Sequence, residues 1–265
     1  MMKFLKRMLP WHLRRSIGFA RTSYSSRKPP FYGVYSDFQA VPPTQGYNDQ
    51  GWSDSSRFQA ERARDQIGAK IPPVMPHSKS LLPMLVAARN EPIRILDFGG
   101  AAGLDFGNLA ASLGAIPENV SYVVVDTPGT CEAGRITWQN GKVTFASELP
   151  PETERFDIVY AYSSLQYLSD FREGLGKLVA YKPEVILLCH HPVHLGKSFV
   201  RCQNNMGSRL EVPQWVFGFD DLTEAMLALG YRISFREWTA AQYNVDNYED
   251  DYKAGRTANL VFVPR

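Results

Sequence analysis

Asp97, Gly99, Gly100 and Gly103 stand within seven residues of one another, directly behind the apolar positions Ile93, Ile95 and Leu96. A strand that ends in an acid and a glycine turn, then gives way to a helix, brings backbone N–H groups close to a ligand that a Cβ would keep away. The positive end of the helix dipole stands behind those groups. The Asp97 carboxylate falls at the carboxyl end of its strand, where open α/β sheets bind ligands. Asp126 repeats the arrangement after Val123-Val124-Val125 and is placed to take ribose hydroxyls; Thr127-Pro128-Gly129 behind it also reads as a turn or a helix cap. His190, His191 and His194 cluster around Pro192. A histidine titrates near neutral pH, so His190 or His191 could take a proton from an acceptor, with a surface or satisfied histidine as the ordinary alternative. No metal is expected there, because Pro192 breaks helical spacing and no carboxylate is near in sequence. Lys197, Arg201 and Arg209 could hold an anionic acceptor such as a phosphorylated or nucleotide-linked sugar, or could be chance charges on a solvated loop.

The elements that must position these residues follow an alternating pattern from residue 91. Strands are expected at 94–98, 121–125, 142–146, 156–162, 184–189, 231–238 and 259–263. Helices are expected at 104–113, at 170–180 behind the cap Asp170, and at 221–229, where Gly230 stops the chain. Alternation of this kind predicts an α/β Rossmann-like fold: a seven-stranded, mainly parallel sheet with helices on both faces, plus an N-terminal extension. The organisation divides into 1–30, a basic tail and linker; 31–90, a lid or packing extension; and 91–265, the nucleotide-fold domain. The extension carries Phe31 to Phe38, Gly46-Tyr47-Asn48-Asp49 and Trp52, with helical stretches at 54–68 and 78–89 around the proline run 72–76. Tyr243 to Tyr252 reads as an exposed acidic insertion between the last two strands.

The chain has 265 residues, 44% of them apolar, enough for one large core. Of 29 basic side chains, eight fall within residues 1–36 with no acid among them; the other 21 face 27 acids. Such a body is no obvious nucleic-acid binder. The basic start, interleaved with Phe4, Leu5, Trp11 and Leu13, reads as a solubilising tail, or as a weak peripheral contact with an anionic membrane. It lacks the apolar run and cleavage site of a secretory signal, and no stretch is apolar enough to span a bilayer. Three cysteines at long spacings suggest neither a disulfide framework nor a zinc ribbon, so a cytoplasmic protein is expected, with the inner face of the membrane as a peripheral location.

Two cofactor classes use a strand, glycine turn and helix. Dinucleotide enzymes want G-x-G-x-x-G, and counted from Gly99 this chain offers Ala101 and Leu104 at the later glycines. Asp126, 23 residues after Gly103, would serve either class, so the glycine pattern decides. Leu96 to Gly103 resembles the first motif of class I S-adenosylmethionine-dependent methyltransferases, with Ala101 in place of the middle glycine. Val123 to Asp126 resembles the second motif, and Phe156 to Leu168 the one on the fourth strand. More narrowly, the chain is similar to a little-characterised methyltransferase family that pairs Phe-x-Gly-x-Tyr (Phe31, Gly33, Tyr35) with Asp-Phe-Gly-Gly (Asp97 to Gly100) and Ser-Ser-Leu-Gln-Tyr-Leu (Ser163 to Leu168). Where that family carries an Arg before Thr-Pro, this chain has His190-His191-Pro192.

The resemblance implies S-adenosyl-L-methionine as cofactor, held by Asp97, Phe98, Gly99, Gly100, Gly103, Asp126 and Thr127. It further implies adenine contacts at Ser147 and Glu148, and Ser163 at the border of cofactor and acceptor. Gln166, Tyr167 and Tyr32 are the candidates for acceptor contact. The implied activity is methyl transfer to oxygen on a small-molecule or saccharide acceptor, in the context of surface-polysaccharide biosynthesis. No Asn-Pro-Pro-Tyr-like motif follows the fourth strand, which argues against methylation of base or glutamine amino groups. Two other readings stay open: a catalytically silent binding protein on the same fold, and a nicotinamide-dependent enzyme acting on sugars.

Overall fold

A computed structural model describes residues 29–42, 50–71, 73–139, 141–205 and 210–265. The basic tail, the Gly46 to Asp49 segment, Pro72 and Arg209 lie outside the described residues. Among the described residues ten strands form the sheet: β1 (Phe31–Tyr35), β2 (Ile93–Phe98), β3 (Val120–Val125), β4 (Val143–Ala146), β5 (Ile158–Tyr162), β6 (Val185–His194), β7 (Phe199–Asn205), β8 (Leu210–Gly218), β9 (Tyr231–Gln242) and β10 (Arg256–Pro264). The helices are α1 (Gln50–Arg64), α2 (Leu81–Ala87), α3 (Leu104–Leu113), α4 (Pro128–Thr137), α5 (Phe171–Val179) and α6 (Phe219–Ala228), with 3₁₀ turns at His77–Lys79, Leu165–Tyr167 and Asp250–Tyr252.

The seven expected strands form the central sheet in the order β4-β3-β2-β5-β6-β10-β9. β2 to β6 run parallel, and β10 is antiparallel to both of its neighbours. The parallel strands read as continuous apolar runs because both faces are covered. On one face, Ile95, Tyr122, Val124, Ile158 and Leu187 pack with Phe106 and Leu109 of α3. On the other, Leu96, Val159, Ile186 and Phe262 pack with Leu175 of α5 and Leu222 and Met226 of α6.

Three additions depart from the seven-strand expectation. β7 and β8 form an antiparallel hairpin inserted between β6 and α6, where the sequence suggested a charged loop. β1 pairs antiparallel with β7, so the start of the extension is an outer strand of this subsheet. β8 joins the main sheet through two residues at the end of β6. The third addition is the 243–255 connection between β9 and β10. It is not the solvated insertion expected: Val245, Tyr248 and Ala254 are buried against Phe31, Phe199 and Val216. Its acids stay outside while its apolar residues close the subsheet face. β6 also outruns the expected 184–189, because Pro192, which cannot donate to a ladder, is accommodated as the partner of Thr257.

α1 crosses α3 and α4. Small residues set the closeness of that crossing: Ala60 is fully buried against Ala102 and Ala133. No helix among the described residues is long and apolar enough to cross a membrane.

Candidate active site

The glycine turn joins β2 to α3. Gly99, Ala101 and Gly103 all adopt positive φ, at 71°, 53° and 79°. A Cβ on Gly99 would collide with Ser164, and one on Gly100 with the Asp97 carboxylate. The turn is therefore held from below by Asp97 and from the side by the loop after β5, where Ser164 Oγ donates to the Phe98 carbonyl at 2.5 Å. Both contacts explain the glycines as well as ligand approach does.

The two acids of the turn have different surroundings. Asp97 is fully buried; its Oδ2 accepts from Tyr122 Oη at 2.8 Å, and its Oδ1 has no partner among the described residues. Burial, with the Asp105 carboxylate next, raises its pKa well above the ordinary carboxylate value. Asp126 is only partly buried. Its Oδ2 accepts from Ala101 N at 2.9 Å and its Oδ1 from Thr127 N at 2.7 Å. Each oxygen keeps lone-pair capacity for a further donor. Thr127 caps α4 through backbone conformation, Pro128 follows as the first helical residue, and Thr127 Oγ1 pairs with Thr130 Oγ1 at 2.9 Å. Ser147 and Glu148 are exposed after β4, at the same end of the sheet.

Across the turn, Ser163 sits at positive φ (53°) after β5, and Gln166 Nε2 donates to its Oγ at 2.8 Å. Gln166 is buried and its Oε1 is unpartnered. Tyr167 lies further out, its Oη donating to Gln203 Oε1 at 2.8 Å. Tyr32 sits in the subsheet, its hydroxyl engaged with Cys202 and Glu211 and raised in pKa by burial first and those contacts second.

The histidine pair separates by role. His191 is fully buried, and its Nε2 accepts the Leu165 N–H at 3.2 Å. Burial drives its pKa down to about 3. A sealed imidazole with that lone pair engaged fixes the loop after β5, so His191 is not placed to collect a proton from an acceptor. His190 is partly buried at φ 59°. The register between β10 and β6 slips here: Ala258 faces His191 while Leu260 faces Leu188, leaving an extra residue on β6. His190 occupies this bulge in a conformation that costs strain, a feature that re-aims side chains beside functional sites. Its backbone N–H donates to Asn259 Oδ1 at 2.9 Å, and its ring stacks on Tyr162 (5.2 Å between centroids, 13° between planes). Burial, then the charge of Lys79, lowers its pKa below the ordinary histidine value, so it stays neutral at pH 7.

Residues absent from the sequence reading complete this wall. Lys79 pairs with Asp105 at 2.5 Å, both largely buried, and lies 4.3 Å from the Tyr162 ring centroid; Ser78 Oγ meets Tyr162 Oη at 3.1 Å. The extension thus reaches the end of β5. An acid in the first turn of α3 was the available signal for Asp105. A cavity of about 840 Å³ opens beyond the end of β6, lined in part by His194, Lys197, Trp238, Tyr243 and Tyr252. Tyr243 connects it to the histidine, ring centroids 6.4 Å apart. No cluster of metal-ligating side chains occurs among the described residues.

The strand order, the reversed β9–β10 pair and the turn after β2 define the fold of the class I S-adenosylmethionine-dependent methyltransferases. Solved structures agree. The Burkholderia thailandensis 1,6-didemethyltoxoflavin-N1-methyltransferase, solved with S-adenosylhomocysteine, is 15% identical with a TM-score of 0.52, covering 91% of this chain and 97% of its own. The magnesium protoporphyrin IX methyltransferase of Synechocystis, also solved with S-adenosylhomocysteine, is 14% identical with a TM-score of 0.53, covering 83% and 96%. No family model and no curated sequence matches the chain. At these identities the likeness is one of fold.

Proposed function

We propose that this protein is an S-adenosylmethionine-dependent methyltransferase acting on an oxygen of a small-molecule or saccharide acceptor. The observation that carries the reading is the turn after β2, whose glycine spacing does not suit a dinucleotide; beside it stands Asp126, a partly exposed carboxylate at the carboxyl end of β3 with each oxygen oriented by one backbone N–H. These residues fit the cofactor. Asp126 would take the ribose hydroxyls, and the turn from Gly99 to Gly103, supported from beneath by the buried Asp97, would face the methionine portion. S-adenosylmethionine supplies a methyl group on a sulfonium, already activated for transfer. The chain then has to align the acceptor and exclude water. Ser163 and Gln166 border that space. His190, neutral and held at the bulge, is the group to take the acceptor hydroxyl's proton. The motif resemblance suggests a place in surface-polysaccharide biosynthesis, in the cytoplasm or at the membrane's inner face.

Calorimetric titration of the full chain with S-adenosylhomocysteine, S-adenosylmethionine and NAD tests the reading. The two sulfur ligands should bind at micromolar affinity, and Asp126→Ala should weaken both at least tenfold. Binding of NAD in their place would move the chain to the oxidoreductases; binding without transfer to any of a panel of hydroxyl acceptors would favour a silent binding protein.

A further inference from the structure

The three additions to the seven-stranded fold meet at one place, and a buried cation lies between them. Arg201, on β7, is 1% exposed. Its Nε donates to Gln214 Oε1 at 2.8 Å and its Nη1 to the Ala254 carbonyl at 3.2 Å, while Cζ lies 3.8 Å from the Phe31 ring centroid. Among the described residues no carboxylate pairs with it, and Nη2 makes no hydrogen bond. A guanidinium removed from water without a counter-ion is costly, and folded chains rarely keep one without a use for it. A second observation stands beside it. Tyr248 is 7% exposed, its Oη is buried without a partner, and it is the side chain whose charge couples most strongly to Arg201. Tyr167 and Tyr243 also face the cation, and Gln214 Nε2 and Tyr167 Oη both reach Gln203 Oε1, at 3.0 and 2.8 Å. A guanidinium edge and a phenol with nothing to bond to are together the donor set of an anion site.

The chamber adjoins the acceptor side. Tyr243, Val245 and Ala254 line the 840 Å³ cavity, and Ala254 accepts from Arg201, so these residues form a wall shared by the cavity and the cation. Tyr167 follows Gln166 on the loop after β5, and Tyr243 also lies beside His190.

We propose that Arg201, with Tyr248, is the subsite for an anionic substituent, a carboxylate or a phosphate, on the methyl acceptor. The assignment rests on the methyltransferase reading for the word acceptor, but the anion site itself does not need it. The body of the acceptor occupies the cavity, and its charged end is directed at the wall of Tyr243, Val245 and Ala254, behind which the guanidinium lies.

The test is thermal unfolding of the full chain in inorganic phosphate, in acetate and in chloride at matched ionic strength, each with and without S-adenosylhomocysteine. Phosphate or acetate should raise the wild-type midpoint by about 3 °C over chloride. Stabilisation by acetate alone assigns a carboxylated acceptor, and by phosphate alone a phosphorylated one. Arg201→Gln should lose the anion effect and keep the S-adenosylhomocysteine effect. Should that variant not fold, Tyr248→Phe removes only the unpartnered hydroxyl and should at least halve the anion shift. No anion-specific shift in the wild type, or an equal shift in the variants, overturns the proposal. Loss of the S-adenosylhomocysteine effect in the wild type with the anion shift intact would instead overturn the cofactor reading.

Discussion

Residue identity alone does not separate Asp97 from Asp126 or His190 from His191; surroundings do. In each pair one member is sealed and organises the turn or loop, and the other is only partly buried. Asp97 supports the glycine turn from below, and His191 pins the amide of Leu165. His190 is presented by a strained bulge, and the strain is maintained by Asn259, itself fixed by Glu237 at 2.6 Å. His190→Gln should therefore lower kcat by about 10²–10⁴-fold while S-adenosylhomocysteine binding is unchanged. Because the pKa of His190 is lowered, its base form persists on acidification, and the acid limb of kcat/KM should lie below the ordinary histidine value of 6.5. A variant with wild-type turnover, or an acid limb above 6.5, would remove His190 from the mechanism.

At the scale of elements, the glycine turn and the alternating strands were legible because parallel strands buried on both faces leave unbroken apolar runs. The hairpin of β7 and β8 was not. Its inner face carries Arg201, Gln203 and Gln214, polar residues whose side chains meet across the two strands, so no local pattern distinguishes them from a solvated loop. The 243–255 connection misled for a related reason: four acids there (Asp246, Glu249, Asp250 and Asp251) outweigh the three side chains that are buried. The helix α4 was read only as a cap behind Asp126, since its mean composition is neutral and Pro128 and Gly129 mask its start. The candidate site residues were legible as types at strand ends, but which of them are sealed and which stay partly exposed depends on partners distant in sequence, such as Tyr122 for Asp97 and Leu165 for His191. The extension makes its own prediction. Ala60 of α1 rests on Ala102 of the turn and on Ala133, with no exposed surface. Ala60→Leu should lift α1 and lower stability by about 1–3 kcal/mol, as overpacked sites do. Because Ala102 belongs to the turn, S-adenosylhomocysteine affinity should fall as well. Urea denaturation and calorimetry on the same variant measure both; full stability would show that α1 lies loosely over the turn.

The molecule as a whole stores its protons asymmetrically. On the alkaline side nearly every buried titratable group pushes one way. Burial raises the pKa values of Tyr122 and Tyr160, brings Tyr162 and Tyr248 to about 12, and raises Cys131 and Cys189. Each of these groups keeps its proton in the native state at a pH where the unfolded chain has lost it. The native state then binds more protons than the unfolded one, and stability falls as pH rises through the unfolded values, near 9 for the thiols and 10 for the phenols. Arg201 opposes the trend: its pKa is lowered to about 10, so it releases a proton from the native state first. One such group does not offset six. Urea denaturation from pH 7 to 11 should show a stability plateau, then a decline that begins near pH 9 and steepens past 10. Each excess native proton contributes about 1.4 kcal/mol per pH unit. The buried thiols report the same transition, since Cys131, Cys189 and Cys202 are enclosed and in no disulfide, and alkylation should accelerate as the plateau ends. A stability curve flat to pH 11 would mean that the sheet admits water to its tyrosines, and with it that the enclosed core and the sealed Asp97 and His191 described above do not persist in solution.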